Sequence, residues 1–252
     1  MKYKTGLVLS GGGTRGFAQI GVLKALEESG IRADVISGTS VGSIVGAMYA
    51  DGYSPERMLE IFRKYSIFRL SRPSFSRKGF LNFRGLKNGI IRHLSVHTFE
   101  ELDIPLYVCI ANISTGEVEY VHQGPLPDVL TASASIPILY APVRIRNDLY
   151  IDGAIFDNFP VKHIRDQCER IIGINIMPAG PQQKLNNFRR TSMRIFQLLM
   201  NAADRDSWQE CDLLIEPEGI AEFGYPRHKQ GMQMFTLGYE SARKVLNAIH
   251  DR

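Results

Sequence analysis

Apolar residues in this chain fall in short dense blocks separated by longer stretches of mixed character. Residues 5–10 read TGLVLS, a nearly continuous apolar run that predicts a buried strand. Residues 17–29 place Ile20, Leu23 and Leu26 at helical spacing ahead of Gly30, which predicts a helix. Residues 34–37 predict a second strand, followed by a glycine-flanked turn over 38–42 and a helix of small residues to about Ala50. Strand, turn and helix have now occurred twice. Ser54-Pro55 opens a further helix to about Tyr65, residues 106–113 form a strand, and residues 117–122 are its hairpin partner across Thr115-Gly116. Farther on, 170–177 and 211–215 predict strands, and 188–209 and 232–250 predict helices. This alternation predicts a three-layer α/β/α architecture on a mostly parallel central sheet. No internal repeat or Pro/Gly/Ser-rich linker divides the chain, so residues 1–252 are expected to form one domain.

One segment breaks the pattern. Residues 61–99 hold nine basic residues (Arg63, Lys64, Arg69, Arg72, Arg77, Lys78, Arg84, Lys87 and Arg92), seven aromatics and no Asp or Glu. Pro73, Gly79, Gly85 and Gly89 are expected to interrupt regular structure there. The segment reads as an insertion or cap with its own surface chemistry.

Composition narrows the class. With 252 residues, 44% of them hydrophobic, the chain can bury a substantial core, and 30 basic against 26 acidic residues is too balanced for a disordered polymer. Cys109, Cys168 and Cys211 are an odd number with no CxxC pair. That argues against a disulfide framework and a thiolate zinc site, and for a reducing, cytoplasmic compartment. The N-terminus has no signal-peptide core. The longest charge-free apolar stretch, residues 35–50, is broken by glycines and serines and falls short of the roughly 18–20 residues of a spanning helix. Any membrane contact is therefore expected to be peripheral, on the inner face.

Two turns have the residues for chemistry. Gly38-Thr39-Ser40-Val41-Gly42 fits GxSxG, in which flanking glycines let the chain turn sharply from strand to helix while the serine holds a strained conformation. Its hydroxyl would sit at the C-terminal edge of the sheet beside a helix N-terminus, where negative charge is favoured. The plainer reading is a turn whose serine caps the helix. Gly11-Gly12-Gly13-Thr14-Arg15-Gly16 follows the first strand and presents backbone N–H groups to an anion. It also fits GxGxxG, which makes a dinucleotide-binding oxidoreductase the competing reading. That site, however, needs an acid at the end of the second strand, and Asp34 stands at its beginning.

Asp152-Gly153-Ala154 follows a third apolar strand end. Among His93, His97, His122, His163, His228 and His250, none lies in a marked active-site turn, so no base for a triad stands out.

Taken in order, GGGTRG, GTSVG and DGA resemble the motifs of the patatin-like phospholipase family. Ala134-Ser135-Ile136-Pro137 and Asp157-Asn158-Phe159-Pro160 are similar to that family's intervening block and continuation, and the resemblance spans about residues 4–162. It implies a Ser-Asp dyad without a catalytic histidine: Ser40 the nucleophile, Asp152 the base, and the N–H groups of Gly11, Gly12 and Gly13 an oxyanion hole. Arg15 would add positive charge near the oxyanion or a lipid phosphate, or else pack beside the loop.

The expected activity is cleavage of fatty-acyl esters of lipids through an acyl-enzyme, with no cofactor and no metal. A non-catalytic lipid-binding module on the same fold is the remaining alternative. The expected partners are a lipid acyl-ester substrate and an anionic membrane met by residues 61–99, with no nucleic acid. The bland reading of 61–99 is a structural cap whose aromatics pack into the core and whose cations pair with acids such as Glu56, Glu60, Glu100 or Glu101.

Overall fold

A computed structural model of the chain describes residues 1–64, 84–137, 139–178, 180, 188–204, 206–223 and 230–250. The middle of the 61–99 segment, with Arg69, Arg72, Arg77 and Lys78, lies outside the described residues, as does His228.

The opening units form as their patterns predict. β1 (Tyr3–Leu9) leads through the glycine loop to α1 (Gly16–Glu28), and β2 (Val35–Thr39) leads through the elbow to α2 (Val41–Ala50). β1 shows why a continuous apolar run was needed: Leu7 and Leu9 enter one core cluster and Val8 the other, so both faces of the strand are covered. α3 (Pro55–Lys64) and α4 (Arg84–His93) precede β3 (Leu106–Asn112) and its antiparallel partner β4 (Glu117–Val121). There follow α5 (Leu126–Ser133), β5 (Val143–Ile145), β6 (Asp148–Asp152), α6 (Lys162–Arg165), β7 (Cys168–Ile174), α7 (Phe188–Asp204), β8 (Leu213–Ile215) and α8 (Gly231–His250).

β8, β7, β1, β2 and β3 are parallel neighbours in that order. The registers on β3 then position the site. Val108 and Cys109 pair with both β2 and β4, and Ile110, Ala111 and Asn112 with both β4 and β6. A strand has two edges, so β2 and β6 must lie on the same edge of β3, one beyond the other. They run toward each other. β2 ends with Thr39 opposite Cys109, and β6 ends with Asp152 opposite Ile110, so their C-terminal ends meet head to head.

Close packing holds these ends in place. A Cβ on Gly42 would lie 2.3 Å from the Leu9 carbonyl oxygen and 2.6 Å from that of Ser10, both immobile backbone atoms. We therefore expect Gly42→Ala to lose more than about 3 kcal/mol of stability. A thermal melt within about 2 °C of the unaltered protein would refute this. On the far side, α1 and α8 cross backbone to backbone: a Cβ on Gly21 would sit 2.1 Å from the Phe235 carbonyl oxygen, and one on Gly238 2.1 Å from that of Ala18.

Several expectations are corrected. Gly85 and Gly89 do not break regular structure but lie within α4. The flanks of the 61–99 segment belong to the core, with Ile61, Phe62, Leu94 and Phe99 buried. Among the described residues, Glu56 pairs with Lys24 and Glu60 with Arg57, while Glu100 accepts the Gly124 N–H and Glu101 those of His97 and Thr98. Lys87 pairs with Asp128, an acid outside that set. The helix expected over 188–209 ends at Asp204, and a 3-10 turn covers Ser207–Glu210.

Candidate active site

Ser40 sits at the junction of β2 and α2 with φ 56° and ψ −124°, a conformation that residues with a Cβ rarely adopt. The strain aims its hydroxyl out of the elbow. Ser40 Oγ donates to Asp152 Oδ2 at 2.7 Å, and the other carboxylate oxygen accepts the Ala154 N–H at 3.0 Å. Both residues are buried, Ser40 at 4% and Asp152 at 1% exposure. Burial penalises the charged carboxylate and pushes the Asp152 pKa up to about 7, against the opposing pull of its hydrogen bonds from Ser40 and Ala154. Such a carboxyl is half ionised near neutral pH, the range in which a general base is most effective.

Two serines around the end of α5 brace the pair. The Ser40 N–H donates to Ser133 Oγ at 2.9 Å, whose own hydroxyl donates to the Cys109 carbonyl at 2.8 Å. The Asp152 N–H donates to the Ser135 carbonyl at 3.0 Å. Ser133 thus holds the strained backbone of Ser40 and Ser135 that of Asp152. No sequence signal marks Ser133, because its role exists only once β3 lies beside the elbow. Ser133→Ala leaves the Ser40 N–H buried without that acceptor, at a cost of about 1–3 kcal/mol. We expect kcat to fall at least tenfold with KM nearly unchanged, and Ser133→Thr to recover most of it. A proportional change in KM would mean that Ser133 acts on binding instead.

The glycine loop faces the elbow. A Cβ on Gly11 would lie 3.2 Å from Ser40 Cβ and 2.3 Å from Asn158 Oδ1, so only glycine lets the loop approach this closely. The Gly11 N–H, expected to line an oxyanion hole, donates to the Asn158 carbonyl at 3.1 Å. Among the described residues, no protein acceptor takes the N–H of Gly12 or Gly13. Arg15 is buried and packs beside the loop. Its Nε donates to the Phe223 carbonyl at 3.1 Å, and its terminal nitrogens donate to those of Ile176 and Ala221, both at 3.2 Å. The arginine ties the loop to the C-terminal half of the chain.

The turn after Asp152 connects these parts. Thr39 Oγ1 donates to the Asp157 carbonyl at 3.0 Å, and the Tyr120 hydroxyl donates to the Asp157 carboxylate at 2.6 Å. His163 stacks on the Tyr120 ring at 4.3 Å. Among the described residues, no histidine hydrogen-bonds to the Ser40 hydroxyl. Asp34, the acid that a dinucleotide site would need, accepts the Thr5 N–H at 2.7 Å, at the opposite end of the sheet from the glycine loop.

A strained serine on a strand-to-helix elbow of an α/β/α fold, hydrogen-bonded to a buried carboxylate at the end of a nearby strand, has the parts that serine-hydrolase chemistry requires. The family described as patatin-like phospholipase matches residues 7–164, and the chain belongs to it. Lysophospholipase nte1 of Aspergillus niger is 36% identical over 169 residues, 64% of this chain and 11% of that protein. Lysophospholipase NTE1 of Candida albicans is 29% identical over 191 residues, 72% of this chain and 14% of its own length. The chain thus spans a small fraction of the curated relatives it matches. The fold is shared with VipD from Legionella pneumophila, with a TM-score of 0.57 and 16% identity, over 98% of this chain and 67% of that one. ExoU in its complex with SpcU from Pseudomonas aeruginosa gives a TM-score of 0.51 and 15% identity, over 97% and 51% of the two chains.

Proposed function

We propose that the protein is a serine acyl hydrolase that cleaves fatty-acyl esters of phospholipids or lysophospholipids through a Ser40–Asp152 dyad. The 2.7 Å hydrogen bond from Ser40 Oγ to Asp152 Oδ2 at the strained elbow carries this reading. Ser40 Oγ attacks the ester carbonyl carbon as its proton passes to Asp152. The oxyanion that forms is stabilised by the N–H groups of Gly12 and Gly13, with Gly11 serving the close approach of the loop. Collapse breaks the ester bond, and the departing alcohol oxygen takes the proton from Asp152. Water then attacks the acyl-Ser40 ester and gives its proton to Asp152. The fatty acid leaves and Ser40 recovers its proton.

Membership of the phospholipase family supports a lipid substrate, and the lysophospholipase names of the relatives favour a single-chain lipid. The test is fatty-acid release from matched lysophospholipid, phospholipid and triacylglycerol substrates, run beside labelling by a fluorophosphonate. Turnover of a lipid ester with adduct formation at Ser40 is the expected result. No turnover of any ester, with no adduct, would overturn the proposal. Contact of residues 61–99 with anionic membrane is retained within it. Vesicle binding should weaken when Arg69, Arg72, Arg77 and Lys78 are changed together to Gln.

A further inference from the structure

Helix α7 carries polar side chains on its inner side and an apolar stripe on its outer one. Arg194 and Gln197 face inward, where Arg194 donates to the Gly180 carbonyl at 3.0 Å and Gln197 to that of Pro178 at 3.3 Å, and Met200 and Asn201 are buried on the same side. Ile195, Leu198 and Leu199 are exposed at 54%, 46% and 65%, and with Ala202 they follow the i, i+3, i+4, i+7 spacing of a single helical stripe. Folding gains nothing from an apolar stripe that faces water. α7 also packs against the turn Gly153–Ile155, which directly follows Asp152 and exposes Ile155 and then Phe156. Half of the large hydrophobic side chains exposed among the described residues therefore lie on two touching elements at the edge of the candidate active site.

We infer that this face, Ile155 and Phe156 with the Ile195–Leu198–Leu199 stripe, docks on the surface of a lipid aggregate and presents the Ser40 site to acyl chains held there. The inference rests on the hydrolase reading for its purpose. A lipid surface suits the face better than a protein partner does, for two reasons. The side chains are aliphatic and aromatic with no acid among them, and the α7 sequence carries Arg189, Arg190 and Arg194 but no acid before its last residue, Asp204. With Arg194 turned inward, Arg189 and Arg190 in the first turn are the cations this helix brings to an anionic interface. The position also suits the reaction, since the face continues from the turn that directly follows Asp152.

The experiment compares the full chain with the triple variant Ile195→Gln, Leu198→Gln, Leu199→Gln. Co-sedimentation is measured with vesicles of equal phosphatidylcholine and phosphatidylglycerol, and hydrolysis with a short-chain, water-soluble p-nitrophenyl ester. Vesicle binding should fall at least tenfold while hydrolysis of the soluble ester stays within twofold. Binding within twofold of the unaltered protein would overturn the inference. So would a lipid-free change from dimer to monomer in the variant, which would make the face a contact between two copies. Co-sedimentation needs no turnover, so an unaltered protein that binds vesicles but hydrolyses neither ester sinks the hydrolase reading alone. If the triple variant fails to fold, Leu199→Cys in a Cys211→Ser background, labelled with an environment-sensitive dye, replaces it. A blue shift on adding vesicles supports the docking face, and an unchanged spectrum refutes it.

Discussion

Ser40→Ala should fold, melt close to the unaltered protein, and show neither a fluorophosphonate adduct nor fatty-acid release. Only one oxygen atom is removed, and the backbone at φ 56° is held by neighbours that the change does not touch: the Ser133 hydroxyl on its N–H and the Ser43 hydroxyl on its carbonyl. What disappears is the hydroxyl that, in the proposed mechanism, attacks the carbonyl while passing its proton to Asp152 Oδ2. Without it no acyl-enzyme forms, and kcat/KM should drop by at least about 10⁴. The measurements are mass-spectrometric detection of the adduct and initial rates on a lysophospholipid. An alanine variant labelled as well as the unaltered protein would remove Ser40 from the mechanism.

Asp152→Asn should be nearly as inactive yet more stable. An amide of the same shape can still accept the Ala154 N–H but cannot take the serine proton, so the rate should fall by about 10³ or more. Stability runs the other way. The folded-state pKa is raised from 3.8 to about 7, so the folded protein holds the Asp152 proton more tightly than the unfolded chain does. Folding is therefore least penalised below the unfolded value of 3.8 and loses stability as pH rises from there to about 7. At roughly 1.4 kcal/mol per unit the penalty at pH 8 is a few kcal/mol, and the amide does not incur it. The variant's Tm should exceed that of the unaltered protein by several degrees at pH 8, and the gain should shrink below pH 7 and vanish near pH 4. Over the same range, kcat/KM of the unaltered protein should climb with an apparent pKa near 7 as the base ionises. A flat profile, or a variant destabilised at pH 8, would mean that Asp152 is ionised well below neutrality.

The sequence made the central strands and both turns legible for one reason: a strand covered on both faces must be apolar throughout, and a chain that reverses beside it needs glycine. The short elements lacked such a signal. α5 is only eight residues long, with Pro125 before it, Pro127 in its first turn and Thr131 and Ser133 packed into its last, so its apolar period is short, and β5 has three residues. The position of Asp152 was legible, but not the reason it meets Ser40. That depends on β6 running antiparallel along the edge of β3 that β2 has just left, which is a matter of register. The glycine loop divides in the same way. Its need for close approach is written in its glycines, whereas the loss of the Gly11 N–H to Asn158 depends on a turn far away in the chain. Arg15 reads from the motif as either an anion contact or a packing residue, and its bonds to the carbonyls of Ile176, Ala221 and Phe223, all beyond the motif region, could not be read there.

The backbone contact between α1 and α8 also sets an order of events during synthesis. The motifs end with Pro160, so a ribosome has made every residue of the candidate dyad well before it reaches Gly231. Until then, the side of α1 bearing Ala18 and Gly21 has no helix to close against, and Met234, Ala242 and Leu246 are missing from the main core. α1 grows directly out of the glycine loop, so the loop's anchorage is incomplete over the same interval. Docking of α8 on α1 is therefore the step that completes the packing beneath the glycine loop.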